Sequence, residues 1–308
     1  MYLKDAEKVQ IMPQMKQTFK NAFTLQIGKN EIIKMKNTGV ITDRDLKIVQ
    51  FLFNHRFATA NQVYEFLGED KNKPNIKMRL EKLINYRVLN KFTLSEFPMD
   101  EVPEDSYQIY CLDLGGLFLM ASYTKEDTSD WFTTINMKGS EVIDKIITTV
   151  DIYLRMRDTL GDNLIAFKVE PIYTVNKKNI VPTFEIVIKD NAGAYKYFIC
   201  EVVKNYDFPV YLREKALKYE SLLTTNSWKK YFYDVTVAPP LLVFAEDDRL
   251  ALDSAIAFSE MTEIESFRLS TEDRVKKTLY ELGAFLKYDP QTKSLKEIKA
   301  LTFNVKGE

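Results

Sequence analysis

The stretch from Ile41 to Phe92 constrains this chain most, because its apolar periodicities and helix-start signals are closely spaced. Thr42 is placed to cap a helix, and Asp45, three residues on, is placed to cap it reciprocally. Leu46, Val49 and Phe53, with Ile48 and Leu52 beside them, form one apolar face at helical spacing. His55, Arg56 and Phe57 end that helix. The TANQ run then repeats the capping logic with Thr59 and Gln62 ahead of Val63, Phe66 and Leu67, and Gly68 stops the second helix. Pro74 falls near the start of a third helix, where its missing N–H costs nothing. Ile76, Leu80, Leu83 and Ile84 make the buried face of that helix; Asn75, Met78 and Lys82 point the other way, flanked by Lys77 and Arg79.

After Lys91, the runs Phe92–Phe97 and Tyr107–Leu112 have strand composition, and the polar PMDEVPEDS segment between them reads as a turn. Three short helices followed by a hairpin is the order of a winged helix-turn-helix. A third helix with Lys, Arg and Asn outside is what a major-groove reader needs. The hairpin tip is acidic, which directs DNA contact to the helix and away from the wing. A short apolar helix is expected over Leu114–Ser122, and a connecting loop over 123–140.

Charge supports the same division. Residues 1–92 carry 17 Lys and Arg against 9 Asp and Glu, while the remainder carries 26 against 35. A basic N-terminal portion on an otherwise acidic chain suits a nucleic-acid partner for that portion. Residues 1–40 read as a basic extension. No apolar run approaches the roughly 18 residues of a membrane span. The start lacks an apolar signal core, and Cys111 and Cys200 with the single His55 give no zinc spacing. The expectation is a cytoplasmic protein without a membrane partner.

Downstream, Glu141–Leu160 has the pattern of a long amphipathic helix. Strand-like runs follow over Leu164–Val175, Thr183–Lys189 and Tyr195–Val203, the last two joined by a DNAG hairpin turn. The spacing then predicts a helix over Tyr211–Leu223, a buried strand over Leu241–Ala245, a helix over Arg249–Phe258, a short strand near Phe267 and a helix from about Glu272 to Phe285. LLVFA followed by helix and strand points to a parallel part of a mixed sheet. The fold class expected is α+β, with domains at 41–122 (winged helix) and 141–288 (α/β), a linker at 123–140 and a polar tail at 289–308.

The helix–strand–hairpin–helix–strand order of the second domain is that of PD-(D/E)xK nucleases. Such sites need a carboxylate on one strand and (D/E)xK on the next, with the acids holding Mg²⁺. Here Thr183 stands where the acid is needed. Glu201 is in place, but Val203 occupies the lysine position and Lys204 comes one residue late, on the other face of a regular strand. Glu185 and Glu141 are the candidate replacement acids. Lys215 and Tyr219 on the next helix are read as an exposed lysine and a packed tyrosine.

The chain resembles the replication-relaxation proteins of plasmids and mobile elements. The matching segments are ITDRDLKIVQFLFNHRFATANQVYEFL, KMRLEKLINYRVLNKF, Tyr107–Gly116, VPTFEIVI, YFICEVVKN and REKALKYESLL, over most of residues 41–250. The resemblance implies a winged helix, a nuclease-like fold and a role in plasmid replication or DNA relaxation; Thr183 and Val203 depart from its acidic pattern. The expected function is sequence-specific binding of double-stranded DNA, without catalysis or cofactor, in replication, transfer or transcriptional control. Asn75, Lys77, Arg79 and Lys82 are the candidate base or phosphate contacts. Lys71, Lys73 and Lys91 are further phosphate contacts, and a homodimer reading paired half-sites is compatible. One alternative is a Mg²⁺-dependent nuclease using Glu201 and Lys204 with Glu141 or Glu185; the other is a protein-interaction adaptor.

Overall fold

The computed structural model describes residues 3, 9–23, 27–68, 73–97, 101–103, 105–190, 193–207, 210–232, 235–264, 267–276 and 282–299. The chain is mixed α+β and divides into two compact units, residues 1–150 and 151–308. No helix among the described residues is long and apolar enough to cross a membrane.

In the first unit the order is β1 (Lys16–Phe19), α1 (Lys29–Asn37), α2 (Asp43–His55), β2 (Phe57–Thr59), α3 (Ala60–Leu67), α4 (Lys73–Asn85), β3 (Leu89–Ser95), β4 (Ile109–Leu112) and α5 (Leu114–Tyr123). Both capping boxes form. Thr42 accepts the Asp45 N–H at 3.3 Å while Asp45 accepts the Thr42 N–H at 2.7 Å. Thr59 and Gln62 exchange the same bonds at 3.2 and 2.9 Å. Gly68 ends α3 in the left-handed region. The apolar faces of α2 and α4 are both buried, at Ile48, Val49 and Leu52 and at Ile76, Leu80, Leu83 and Ile84, each side chain contributing roughly 1.5–3 kcal/mol. Phe51 of α2 stacks on Phe66 of α3 at 4.2 Å.

The four strands form one sheet in the order β1-β3-β4-β2. β3 and β4 make the expected antiparallel hairpin, and β2 returns to pair with β4 through Phe57↔Cys111. α5 begins hard against the end of α4. A Cβ on Gly116 would lie 2.5 Å from the Val88 carbonyl oxygen, and one on Gly115 2.7 Å from that of Arg87. Only glycine permits this approach, which explains the LGG sequence.

Residues 1–40 are more than a basic extension. β1 pairs with β3 from Lys16↔Ser95 to Phe19↔Phe92, and Ile32 of α1 is fully buried. The 123–140 segment is also built in. Asn136 is buried and donates to the Leu112 carbonyl at 2.8 Å. The Gln17 side chain donates to the Asn136 carbonyl at 3.0 Å and accepts the Lys138 N–H at 3.1 Å. Ser140 and Glu141 side chains accept the backbone N–H groups of Met15 and Gln14.

The division between units falls inside α6 (Ser140–Leu160). The second unit continues with β5 (Leu164–Val169), β6 (Tyr173–Val175), β7 (Lys178–Ile180), β8 (Phe184–Lys189), β9 (Tyr195–Val203), α7 (Val210–Leu223), β10 (Leu241–Ala245), α8 (Asp248–Met261), β11 (Phe267–Thr271), α9 (Glu272–Val275), β12 (Leu282–Asp289) and β13 (Ser294–Lys299). A seven-stranded sheet runs β13-β12-β11-β10-β9-β8-β5, and β9, β10 and β11 are parallel. Every residue of LLVFA is buried, as a parallel central strand requires. Alternation sends Ile199, Val203, Leu241 and Val243 toward α7 and α8, and Phe198, Cys200, Val202 and Leu242 toward Ile152, Met156 and Leu160 of α6.

Three sequence expectations change here. The Leu164–Val175 strand splits, because Glu170 takes a positive φ of 48° before Pro171. Of the helix expected over Glu272–Phe285, Glu272–Val275 forms α9, 277–281 lie outside the described residues, and the stretch from Leu282, with Gly283 at φ 86°, belongs to β12. The tail from residue 289 includes β13, which pairs with β12 through Asp289↔Ser294 and Lys287↔Lys296.

Candidate nucleic-acid interface

α4 carries the candidate contacts. Its apolar face is buried in the first unit, so Asn75, Met78 and Lys82 are exposed along the opposite face, and Lys77 is exposed on its flank. Met78 keeps 59% of its surface. Asn75, Met78 and Lys82 fall at i, i+3 and i+7 and share one stripe. Lys73 opens α4, but its side chain, like the whole of Lys71, lies outside the described residues.

Two other candidates are committed within the fold. Arg79 Nε donates to Asp45 Oδ1 at 2.7 Å, and its Nη2 donates to Asp45 Oδ2 and to the Val40 carbonyl, the latter at 2.7 Å. Asp45 is buried, and burial pushes its pKa up. The bonds from Arg79 and Thr42 outweigh that and leave it below the usual carboxylate value. The Asp45 hydrogen bonds in turn raise the pKa of Arg79. Arg79 therefore ties α4 to the start of α2 through its Nε and Nη2 groups. Lys91 donates to Glu81 at 2.6 Å and to Gln108 Oε1 at 3.1 Å, which ties β3 to α4 and β4.

Beside α4 lies a cavity of about 140 Å³ lined by Thr59, Asn61, Lys77, Ser106, Tyr107 and Gln108, among others. Asn61 is exposed in the first turn of α3. Gln108 Oε1 accepts from both Lys91 and the Tyr110 hydroxyl, at 3.1 and 3.3 Å. Lys91 can only donate, so the oxygen end of the Gln108 amide is fixed toward it. The sequence pattern did not single out Asn61 or Gln108. Asn61 could have been found from the TANQ box, which puts it in the first helical turn; the place of Gln108 depends on β3–β4 pairing.

The acids of the second unit form a different arrangement. Glu201 is fully buried on β9; it accepts from the Tyr219 hydroxyl and from Lys215 Nζ at 3.3 Å. Lys215 also donates to the Val181 carbonyl at 2.5 Å, and only 12% of its side chain is exposed. It is not the exposed lysine expected, because an uncompensated buried carboxylate draws it inward. The register of β9 with β8 and β10 runs on without a shift. Lys204 therefore stays on the other face, where its ammonium pairs with Glu272. Thr183 accepts the Val202 N–H at 3.1 Å, and Glu185 accepts from the Tyr173 hydroxyl. Burial, then the charge of Glu185, pushes the Tyr173 pKa up. Glu141 belongs to the first unit, where it accepts the Gln14 N–H.

This donor set does not fit Mg²⁺. Glu201 already faces a hydroxyl and an ammonium, whereas a hard cation needs carboxylate oxygens gathered around an open position. Among the described residues no group of three or more His, Cys, Asp or Glu could hold a metal ion. No protein-family model, curated protein or solved structure matches this chain.

Proposed function

We propose that the chain is a sequence-specific binder of double-stranded DNA whose α4 enters the major groove, and that its first unit is a winged helix. One observation carries the reading. α4 turns Asn75, Lys77, Met78 and Lys82 outward while its apolar face packs in a helix–strand–helix–helix–strand–strand order, with β2 paired to β4. Asn suits the adenine edge, Lys suits guanine or phosphate, and a methionine suits the thymine methyl group. The basic N-terminal charge supports the same partner. The likeness to replication-relaxation proteins adds a setting: replication, transfer or transcriptional control of a plasmid or other mobile element, without catalysis. The second unit is then a degenerate nuclease-like domain in which Lys215 and Tyr219 occupy Glu201.

Selection of bound duplexes from a random pool tests the reading, and enrichment of one motif is the expected result. Lys77→Ala/Lys82→Ala is expected to weaken binding to that motif by about 1–3 kcal/mol for each base-reading side chain removed. A double variant that binds like the parent would sink the assignment. Binding of a partner protein with little salt dependence would favour the adaptor reading instead.

A further inference from the structure

We infer that the second unit has its own contact for the phosphate backbone of double-stranded DNA, a lysine surface formed by Lys177, Lys178, Lys229 and Lys230. This rests on the DNA-binding reading and extends it to the second unit. Two segments supply the surface. Residues 171–184 and 221–233 hold four lysines and no Asp or Glu, although the chain beyond residue 92 carries 26 Lys and Arg against 35 Asp and Glu. The first segment contains the β6–β7 hairpin, with Lys177 in its turn and Lys178 opposite Val175. The second contains a 3-10 turn over Asn226–Lys230. Tyr231 joins the two. Its hydroxyl accepts the Thr174 N–H at 2.6 Å and donates to the Thr174 carbonyl at 2.9 Å. The Lys230 ammonium lies 5.3 Å from the centre of the same Tyr231 ring, so it sits beside the hairpin. Lys229 precedes it, with its ammonium 5.6 Å from the centre of the buried Trp228 ring. All four lysines are exposed, and none forms an ion pair with a described residue. Of the acids that flank the two segments, Glu185 accepts the Tyr173 hydroxyl and Glu220 accepts the Glu263 N–H; Asp234 lies outside the described residues.

The turn shows that Lys177 is not there for stability. Asn176 and Lys177 take φ of 49° and 63°, in a two-residue hairpin turn whose second position favours glycine. A larger side chain in that conformation is strained. The fold thus keeps an ammonium where glycine fits better, close to others of like charge. A polyanion turns that repulsion into attraction, and each lysine that neutralises a phosphate releases a condensed counterion. Thr174, Asn176 and Asn179 are exposed beside the lysines and suit phosphate and sugar oxygens. A membrane surface asks instead for a broad apolar face next to the charges, whereas Ile172 is the single large apolar side chain exposed in the described residues of the two segments. Backbone contacts carry no sequence information, so base reading stays with α4.

The test uses the full chain and a mixed-sequence duplex, with binding followed by fluorescence anisotropy over a sodium chloride series. Lys177→Gln/Lys178→Gln and Lys229→Gln/Lys230→Gln are each expected to lower the slope of log K against log salt by about two. Both are expected to leave the melting temperature and the order of preference among selected motifs unchanged. Lys177→Gly keeps the turn and removes one charge, so it is expected to lower the slope by about one while the melting temperature holds or rises. The same losses are expected in a Lys77→Ala/Lys82→Ala background, because the second surface acts without α4. If the variant lacking all four lysines keeps the wild-type slope and affinity, the surface is wrong; weakened binding by Lys77→Ala/Lys82→Ala in that assay leaves the DNA reading standing. The inference also falls if phosphatidylserine vesicles capture the wild-type chain and not the four-lysine variant while duplex binding ignores the four lysines; the partner is then a membrane. If the wild-type chain binds no duplex at all, the DNA reading fails and takes this contact with it.

Discussion

At the scale of single residues, His55 gives the cleanest handle on the first unit. It is the one histidine of the chain, it is buried, and its ring lies 4.9 Å from that of Phe51. Burial pushes its pKa down to about 3. The unfolded value is about 6.5, so the unfolded chain binds the extra proton first. Stability is therefore complete above about pH 6.5 and falls as the pH drops toward 3, by at most about 1.4 kcal/mol per pH unit. Urea unfolding between pH 7 and 4 is expected to show this slope, and His55→Phe to flatten it. A variant with the parental slope would mean that His55 does not carry the effect. Asp45 acts lower on the scale. Its folded pKa lies below the unfolded value, so its contribution is present above about pH 3.9 and disappears only as the pH falls further. None of this could be read from the sequence, because burial of His55 and the Asp45–Arg79 pair both depend on how α2 packs. The position of Arg79 on α4 was legible, but its bond to Asp45, 34 residues away, was not.

At the scale of elements, what was legible was local. Each capping box is contained within four residues, and each apolar face of α2 and α4 within a few turns, so Thr42, Thr59 and their partners could be placed before any tertiary contact was known. The strands at the sheet margins were not legible in this way. KQTF has no strong alternation and becomes β1 only because β3 offers it a ladder. The residues after Thr271 carry helical spacing, yet β12 is drawn into the sheet by β11 and β13. The α4–α5 junction supplies a prediction with a definite sign. In an ordinary helix Gly→Ala stabilises by roughly 0.5–1 kcal/mol. At Gly116 the added Cβ meets the Val88 carbonyl at 2.5 Å, and backbone cannot yield as a flexible side chain can. Gly116→Ala is expected to destabilise by about 1–3 kcal/mol in urea unfolding; a gain in stability would show that α5 can shift.

At the scale of the whole molecule, the two units carry one tryptophan each, Trp131 and Trp228, so fluorescence distinguishes them. Lys215→Ala leaves Glu201 buried without its ammonium partner. It is expected to cost the second unit about 3 kcal/mol, seen as a lower urea midpoint for Trp228 emission in a Trp131→Phe background. Supercoiled plasmid incubated with the chain and Mg²⁺ is expected to stay uncut. Nicking that is abolished by Glu201→Gln would instead restore the nuclease alternative. The broad α+β architecture and the parallel centre of the larger sheet were visible in the order of apolar runs. The offset of Lys204 from Glu201 was legible in the sequence, but only the fold supplied Lys215 as the cation that reaches Glu201.

The Gln17 side chain has a consequence for self-association. β1 closes one flank of the smaller sheet, and an open flank is a template on which a second molecule can add a strand. Here the amide of Gln17 grips the backbone of residues 136 and 138, while Ser140 and Glu141 take the N–H groups of Met15 and Gln14. The N–H groups of Gln14 and Met15 that lead into β1 are thus already taken within the chain, leaving fewer of them from which a fibril could grow.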